Sequence, residues 1–314
     1  MLREIRANDA PRFVELFQRL FPEEDALLGS RPADVERIVR RIFRWDVRLI
    51  LGFLDLIRRP VFRAFALDVD GTLVATAILT FTERAGYVSS VMVDTPYRRQ
   101  GMGRRVVTEC VEATRRVRKP YVVLDVVATN DPAIRLYERL GFRPLRELAI
   151  FVKEESGAFA NSSAPPPQGV REFRRSDAAH LVDIVRASLS AVEAEVLPPS
   201  RTQVTVSSFV LRGLESTSKA WVLEDNGAPV GFVRATVSGA MTAGHLSAPV
   251  VAPSVDPARA EALVRWACKW IAGREKTRVI AEAPLSHGQS KEALRAGGFH
   301  EAYRVATLFR PTSG

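Results

Sequence analysis

The sequence predicts an α+β protein in which one structural unit occurs twice. The chain has 314 residues, more than one typical domain core holds, which suits two domains. A stretch rich in Ser, Ala, Pro and Gly, residues 155–169, divides the chain near its middle and is typical of a linker. The sequences on its two sides begin alike and repeat similar motifs in the same order, which indicates two copies of one unit.

The two copies begin with matching strand and helix signals. REIRANDAPRFVELF starts at Arg3, and REFRRSDAAHLVDIV starts at Arg171. Each segment predicts a short alternating strand, a polar helix cap and an amphipathic helix. Further on, DVDGTLVATA from Asp68 matches EDNGAPVGFV from Glu224. Both are typical of two strands joined by a turn that contains glycine.

The copies match again near their ends, where ERLGF (138–142) is similar to RAGGF (295–299). Gly141 then corresponds to Gly298, an offset of 157 residues. For the first copy, the hydrophobic pattern predicts a strand at 2–6, a helix at 9–21, helical sequence at 32–58, strands within 61–94, a helix at 101–117, a strand at 121–129, a helix at 131–140 and a closing strand at 142–153.

Composition indicates an ordinary globular protein, with 46% hydrophobic and 26% charged residues. No apolar run approaches the ~20 residues of a membrane span, and MLREIRAND lacks the apolar stretch of a signal peptide. We therefore expect a cytoplasmic protein without membrane partners. Cys110 and Cys268 lie in helical patterns without metal-ligand spacing, so we expect both to be buried and no metal to be bound.

The net charge of +9 raises the question of a nucleic-acid partner. Arginines make up 39 of the 45 basic residues and are scattered along the chain, without an aromatic and basic recognition motif. We therefore expect no specific nucleic-acid partner. A basic surface also attracts a small anionic ligand.

RRQGMG, residues 98–103, follows a predicted strand and opens a predicted helix. Unpaired N–H groups at a helix N-terminus attract anions, and glycines let a phosphate approach the backbone closely. The alternative, a plain turn, would more often carry a Ser, Thr, Asp or Asn cap. The second copy has that cap: Asp256, with Pro257 at the first helical position, predicts a closed helix N-terminus that repels phosphate.

The first half resembles the GNAT superfamily of N-acetyltransferases. VMVDTPYRRQGMG is similar to the family's strand and Arg/Gln-x-x-Gly-x-Gly/Ala signature, with Arg98, Gly101 and Gly103 in the signature positions. LDVVATNDPAIRLYERLGF (124–142) is similar to the family's second motif. The resemblance implies two tandem GNAT-like domains, each a mixed, mostly antiparallel sheet flanked by helices, of which the second is degenerate.

The resemblance also implies an acetyl-CoA site in the first half. The loop would hold the pyrophosphate, backbone of the preceding strand would pair with pantetheine, and the start of the following motif would line the other side. The residues so implied are Met92, Val93, Arg98, Arg99, Gln100, Gly101, Met102, Gly103, Arg104, Asn130 and Ala133.

Direct acetyl transfer to an amine needs a neutral amine and a proton for the departing thiolate. Tyr137 stands where similar enzymes keep a general acid, although packing against Phe142 would also explain it. Asp125 stands where some similar enzymes place a base. The second copy keeps Glu282 at that position but has Leu294 in place of the tyrosine, so a structural role for Asp125 stays open.

These expectations assign residues 1–154 to a catalytic domain, 155–169 to a linker and 170–314 to a non-catalytic domain. The activity is acetyl transfer to a primary amine of a small molecule, peptide or protein; the alternative is a module that senses acetyl-CoA without turnover. The acceptor is expected near residues 20–62, where large apolar residues line its pocket or pack against the second half or another subunit of a homo-oligomer. These residues are Phe43, Trp45, Leu49, Phe53 and Leu56.

Overall fold

The computed structural model describes residues 1–29, 32–42, 62–154, 165–200 and 216–313. Its helices are α1 (Ala10–Leu20), α2 (Pro22–Leu28), α3 (Pro32–Ile42), α4 (Met102–Arg116), α5 (Asp131–Arg139), α6 (Ala178–Ala187), α7 (Ala191–Val196), α8 (Pro257–Ala272) and α9 (Gly288–Ala296). Its strands are β1 (Leu2–Glu4), β2 (Phe62–Val69), β3 (Thr72–Phe81), β4 (Ala85–Val93), β5 (Tyr121–Val127), β6 (Arg143–Glu154), β7 (Val170–Glu172), β8 (Ser216–Asp225), β9 (Ala228–Ser238), β10 (Ala243–Leu246), β11 (Val250–Val251), β12 (Arg278–Pro284) and β13 (His300–Pro311).

The described strands form one continuous mixed sheet. Its order is β1-β2-β3-β4-β5-β13-β6-β12-β10-β9-β8-β7, and β11 pairs with β9. Only β4 with β5 and β10 with β12 run parallel; the other described pairs are antiparallel. The structure therefore confirms the predicted fold class of two GNAT-like units with helix-flanked, mostly antiparallel sheets.

The two halves exchange their last strands. β13 of the second half pairs with β5 of the first half, along residues 121–127. β6 of the first half lies between β13 and β12 and pairs with both. Both neighbours of β6 therefore come from the second half, and the hydrogen bonds of the sheet run across the centre of the molecule without interruption.

Local sequence explains the repeated elements at the start of each half. Asp70-Gly71 joins β2 to β3, and Asn226-Gly227 joins β8 to β9; all four residues have positive φ. Two-residue hairpin turns of this kind favour such pairs because glycine, asparagine and aspartate tolerate left-handed backbone.

The same ion-pair network holds the first strand in both copies. Arg3 pairs with Asp9 at 2.6 Å and with Asp68 at 2.5 Å. In the second half Arg171 pairs with the corresponding Asp177 at 2.8 Å and Glu224 at 3.1 Å. The repeat is therefore preserved in side-chain contacts as well as in the pattern of elements.

Helices cover both faces of the sheet. On one face, α4 packs against β2–β5 around buried residues such as Val107 and Leu124, and α8 packs in the same way on the second half. The opposite face carries α1 and α3 in the first half and α6 in the second. Cys110 and Cys268 are both buried, as predicted.

Two short helices cross from one half onto the other. At the end of α2, Arg278 Nη1 donates to the carbonyl of Ala26 at 2.7 Å, and the Thr242 N–H donates to Gly29 at 3.2 Å. In the opposite direction, Glu195 of α7 accepts a hydrogen bond from the hydroxyl of Tyr121 on β5. These contacts fix the halves together above the sheet face that carries α1 and α6.

The predicted elements of the first half agree with the structure within a few residues wherever both can be compared. The separate helix α2 was not predicted. Residues 43–61, with the apolar group at Phe43, Trp45, Leu49, Phe53 and Leu56, and linker residues 155–164 lie outside the described residues.

We predict that a fragment of residues 1–154 does not form a stable monomer. It would leave β6 without either neighbour and β5 with an unpaired edge, which promotes aggregation. Co-expression with residues 165–314 should restore a soluble one-to-one complex with the far-ultraviolet circular dichroism of the intact chain. Size-exclusion chromatography would measure this.

A folded, monomeric 1–154 fragment would contradict this prediction. It would mean that β6 can return to the place beside β5 that β13 occupies in the full chain.

Candidate active site

The parallel strands β4 and β5 separate part of the way along their length. They pair from Ala85↔Tyr121 to Val88↔Leu124 and no further. Just beyond, Ser90 has positive φ (49°), and the register with β3 shifts between Thr76 and Ile78. This β-bulge bends β4 away from β5, so the backbone of residues 89–93 has no strand partner on that side within the described sheet.

A cleft of about 260 Å³ lies where the two strands separate. Residues from β4, β5, α5, α2 and β13 line it, so both halves contribute. They are Phe21, Glu24, Tyr87, Val88, Ser89, Ser90, Val91, Asp125, Val126, Val127, Asn130, Ala133, Tyr137, Tyr303 and Val305.

The loop after β4 ends in an open helix N-terminus. Gly101 is the N-cap of α4, with φ of 79°, and no side chain caps the helix. The first bond across this cap runs from the Arg105 N–H to Gly101 at 3.0 Å. The N–H groups of the preceding helical residues are therefore those that a helix leaves free for an anion. Arg99 and Arg104 are exposed beside them.

Side-chain hydrogen bonds hold this loop in shape. Arg98 Nε donates to the carbonyl of Val93 at 3.2 Å, and Gln100 Nε2 donates to Pro96 at 2.9 Å. The side chains of the signature residues Arg98 and Gln100 therefore hold the loop in shape. Only their backbone groups remain available to contact a ligand.

Asp94 anchors the loop to the first helix. It is 3% exposed and forms ion pairs with Arg12 and with Arg19, the latter at 2.7 Å. Two guanidinium groups hold this carboxylate in place, so its role is to anchor the loop.

The two glycines of the motif have different physical roles. A Cβ at Gly101 would meet nothing within 4 Å, although its positive φ would still strain most residues. A Cβ at Gly103 would lie 3.1 Å from Leu136 Cδ2 on α5. Gly103 therefore permits α4 and α5 to pack closely, and its substitution would disturb that packing as well as any bound phosphate.

Asn130 and Ala133 begin the helix on the far side of the cleft. Asn130 is the N-cap of α5, and its side chain accepts a hydrogen bond from the Ala133 N–H at 3.2 Å. Met92 is 1% exposed, so its side chain belongs to the core and only its backbone is available to a ligand. Val93 adjoins it at the end of β4.

Tyr137 lies on α5 and lines the cleft while being only 5% exposed. Its ring packs edge-on against Phe142 with 6.0 Å between centroids. Among the described residues no group hydrogen-bonds to its hydroxyl. Burial raises its pKa to about 12, so the phenol carries its proton at neutral pH.

Asp125 lies across the same cleft on β5. Its carboxylate accepts hydrogen bonds from the hydroxyl of Tyr87 and from Thr307 Oγ1, the latter at 2.7 Å. Burial, together with the charge of Asp125, raises the pKa of Tyr87 well above its usual range, so this phenol also stays protonated. Thr307 belongs to β13, so the second half holds this carboxylate in position.

The corresponding helix N-terminus in the second half is closed. Asp256 caps α8 by accepting from the Ala258 N–H at 2.8 Å, and Pro257 follows at the first helical position, as predicted. The carboxylate occupies one of the free N–H groups and adds a negative charge where a phosphate would approach.

The second half also closes the strand opening itself. Ser290 Oγ donates to the carbonyl of Pro249 at 2.5 Å, and Gln289 Nε2 donates to Pro253 at 2.9 Å. At the offset of 157 residues, Ser290 corresponds to Ala133, which has no side chain able to form such a bond. Buried Leu294 stands where the first half has Tyr137.

The structure places Asp125, Asn130, Ala133 and Tyr137 around one cleft and the 98–104 loop at the open end of β4. Sequence reasoning missed Tyr87, Tyr303 and Thr307, because the last two arrive through strand exchange. The paired serines in YVSSVMV, small polar residues in an apolar strand, were a signal for the bulge. In the described ranges no group of three or more His, Cys, Asp or Glu is arranged to hold a metal ion, and no helix is both long and apolar enough to cross a membrane.

Comparison with protein families identifies this domain. The model of the acetyltransferase (GNAT) family matches residues 15–142. The chain therefore contains a GNAT acetyltransferase domain in its N-terminal half.

Two relatives illustrate how far the sequence similarity extends. N-alpha-acetyltransferase 30 of Xenopus laevis is 41% identical over 59 residues, which are 19% of this chain and 22% of that protein. The chain thus spans about a fifth of that relative's length. An N-alpha-acetyltransferase of Sulfurisphaera tokodaii is 25% identical over 152 residues, 44% of this chain and 91% of that protein.

A solved structure shares the whole fold. A tandem GNAT protein from the clavulanic acid biosynthesis pathway superposes with a TM-score of 0.62 at 15% identity, covering 100% of this chain and 99% of that chain. The arrangement of two GNAT-like units in one chain is therefore a known architecture.

We predict that Gly101→Asp lowers the affinity for acetyl-CoA by more than tenfold. It places a carboxylate at the helix N-terminus, as Asp256 does in the second half, where it competes with phosphate for the free N–H groups. The space at position 101 is open, so the fold should tolerate the side chain. Calorimetric titration would measure the affinity.

Gly101→Asn is the matched control, because asparagine has the same shape and also tolerates positive φ. Equal losses for both variants would show that geometry, and not charge at the helix N-terminus, determines the affinity.

Proposed function

We propose that the first half is an acetyl-CoA-dependent N-acetyltransferase that transfers the acetyl group directly to a primary amine. The observation that carries this proposal is the cleft between β4 and β5. The cleft contains a carboxylate and a protonated tyrosine whose hydroxyl has no hydrogen-bond partner among the described residues. A helix N-terminus that no side chain caps lies at the end of the same strand. An acid, a proton acceptor and an anion site are what a thioester-to-amine transfer requires.

The residues of the first half fit acetyl-CoA in three places. The free N–H groups from Arg99 to Arg104 suit the pyrophosphate, with two exposed guanidinium groups beside them. On the side toward β5, the backbone of residues 89–93 has no strand partner in the described sheet; it suits the amides of pantetheine, which would add to β4 as a strand does. Asn130 and Ala133 form the opposite wall. When bound, acetyl-CoA supplies the activated acetyl group.

Tyr137 is the proposed general acid. Tyr137 lines the cleft, and its hydroxyl has no partner among the described residues and is protonated at neutral pH. It can donate its proton to the sulfur of the departing thiolate, and the raised pKa ensures that it recovers a proton after each turnover. The packing against Phe142 holds the ring in place for this role.

Asp125 is the proposed proton acceptor for the amine. Two neutral hydroxyl groups orient its carboxylate and leave lone pairs free, while no cation neutralises it within the described structure. An approaching ammonium group can lose its proton to this carboxylate, directly or through a water molecule. The amine then attacks the thioester as the neutral nucleophile.

We assign residues 170–314 to a non-catalytic domain that supports this site. Its helix N-terminus carries its own cap, its strand opening is closed by Ser290 and Gln289, and Leu294 replaces the tyrosine. Through β13 it supplies Thr307, which positions Asp125.

Tyr137→Phe should reduce kcat by about a hundredfold and change the dissociation constant of acetyl-CoA by less than twofold. The variant keeps the ring contact with Phe142 and removes only the proton donor, whose contribution is typically of this size or larger. Release of free CoA in the presence of an amine would measure kcat, and calorimetry would measure the affinity.

Tyr97→Phe is the control, since Tyr97 precedes the loop and does not line the cleft. An unchanged kcat in Tyr137→Phe would assign this tyrosine to packing alone.

A further inference from the structure

The face of the sheet that carries Asp125 continues into the second half. On β13, Thr307 lies beside Asp125, and Tyr303 lies four residues earlier on the same face. Tyr303 is opposite Ile150 of β6, which is opposite Glu282 of β12. Tyr303 and Glu282 therefore share a row, with about 9.5 Å between their backbones. Tyr303 lines the cleft, and Glu282 lies two strands away on the same face, just beyond the residues that line the cleft.

Glu282 is exposed although it lies on a central strand of the sheet. Within the described residues its carboxylate has no hydrogen bond or ion pair. Glutamate is disfavoured in strands, and nothing in the packing of β12 requires it. Its charge acts on the cleft: burial raises the pKa of Tyr303 to about 12, with Glu24, Glu23 and Glu282 adding to the shift.

Glu24 faces the same space from α2. Helix α2 is fixed to the second half by Arg278, so Glu24 holds a defined place at the cleft wall. Acidic residues in the first turn of α2 also stabilise the helix dipole. Glu282 lies on a strand, so the helix dipole cannot explain its presence. A common explanation for Glu24 and Glu282 must therefore be sought elsewhere.

Within the described structure, the positive side chains on this face do not offset its negative ones. Arg146 Nη1 lies 4.0 Å from Oε1 of the buried Glu193. The charge of Glu282 acts on Arg234, but the two side chains do not form an ion pair. Burial lowers the pKa of the His245 ring, which therefore adds no positive charge at neutral pH. Among the described residues, the carboxylates of Glu24, Asp125 and Glu282 therefore outnumber the guanidinium groups that face them.

Tyr137 is an independent indication of a ligand in this space. It is 5% exposed, its hydroxyl has no partner in the part of the chain that the structure describes, and it lines the cleft that Glu24 and Tyr303 also line. If one end of a ligand reaches Tyr137 and Asp125, its other end therefore lies near the carboxylates of Glu24 and Glu282.

We propose that the acceptor is a linear aliphatic amine with a second ammonium group, and that Glu282 and Glu24 bind this second group. The inference rests on the proposed function, since it takes the amine near Asp125 as the one that is acetylated. The rows of Asp125 and Glu282 are four residues apart along β13, about 13 Å, and β5 and β12 are three strand spacings apart, about 14 Å, so the two backbones lie roughly 19 Å apart. The two ammonium groups must therefore be well separated, which favours a long diamine or oligoamine over a compact amine.

The test compares octane-1,8-diamine with 8-aminooctan-1-ol, in which a hydroxyl replaces the second ammonium. The wild-type chain should acetylate the diamine with a kcat/KM about tenfold higher, the usual size of one charged hydrogen bond. Glu282→Gln should remove this preference by lowering kcat/KM for the diamine alone. Its affinity for acetyl-CoA should be unchanged, which shows that the variant is folded.

Glu292→Gln is the matched control, because Glu292 is an exposed glutamate of α9 that does not line the cleft. It should keep the wild-type preference. Equal kcat/KM for the two acceptors in the wild-type chain, or a preference that survives in Glu282→Gln, would overturn the inference. So would a peptide N-terminus that is acetylated far better than the diamine.

A failure of the proposed function can be distinguished from a failure of this inference. If no amine is acetylated, calorimetric titration of the diamine into the CoA-saturated chain still tests the site. Binding that weakens about tenfold in Glu282→Gln would support it, and no binding to the wild-type chain would overturn it.

Discussion

The pairing of β13 with β5, and of β6 with β12, is the constraint on which the rest of the structure depends. It merges two sheets into one and makes each half complete only in the presence of the other. It also brings Thr307 to Asp125 and Tyr303 to the cleft wall. The second half therefore contributes residues to the cleft of the first.

A difference of a few side chains separates an open half from a closed one. Gly101 leaves the N-terminus of α4 free, whereas Asp256 caps α8. Ala133 leaves the strand opening clear, whereas Ser290 closes its counterpart. Both halves have the same order of central strands and helices, so we attribute the difference in anion and ligand binding to the hydrogen bonds of these local side chains.

Local signals in the sequence predicted the local structure well. The Asp70-Gly71 turn, the helix that begins after Gly101 and the cap at Asp256 each depend on a few neighbouring residues. The strand exchange could not be predicted, because β6 shows the same apolar alternation whether β5 or β12 lies beside it. Tyr87 and Thr307, the partners of Asp125, were missed since they meet it only across strands.

We propose that one half of the chain binds acetyl-CoA and that the other half completes its site. The most direct test is the stoichiometry of acetyl-CoA binding to the full chain, measured by calorimetric titration with an independently determined protein concentration. The account predicts one site per chain. Two sites per chain would contradict it, because the second half would then bind acetyl-CoA despite the cap at Asp256 and the bond between Ser290 and Pro249.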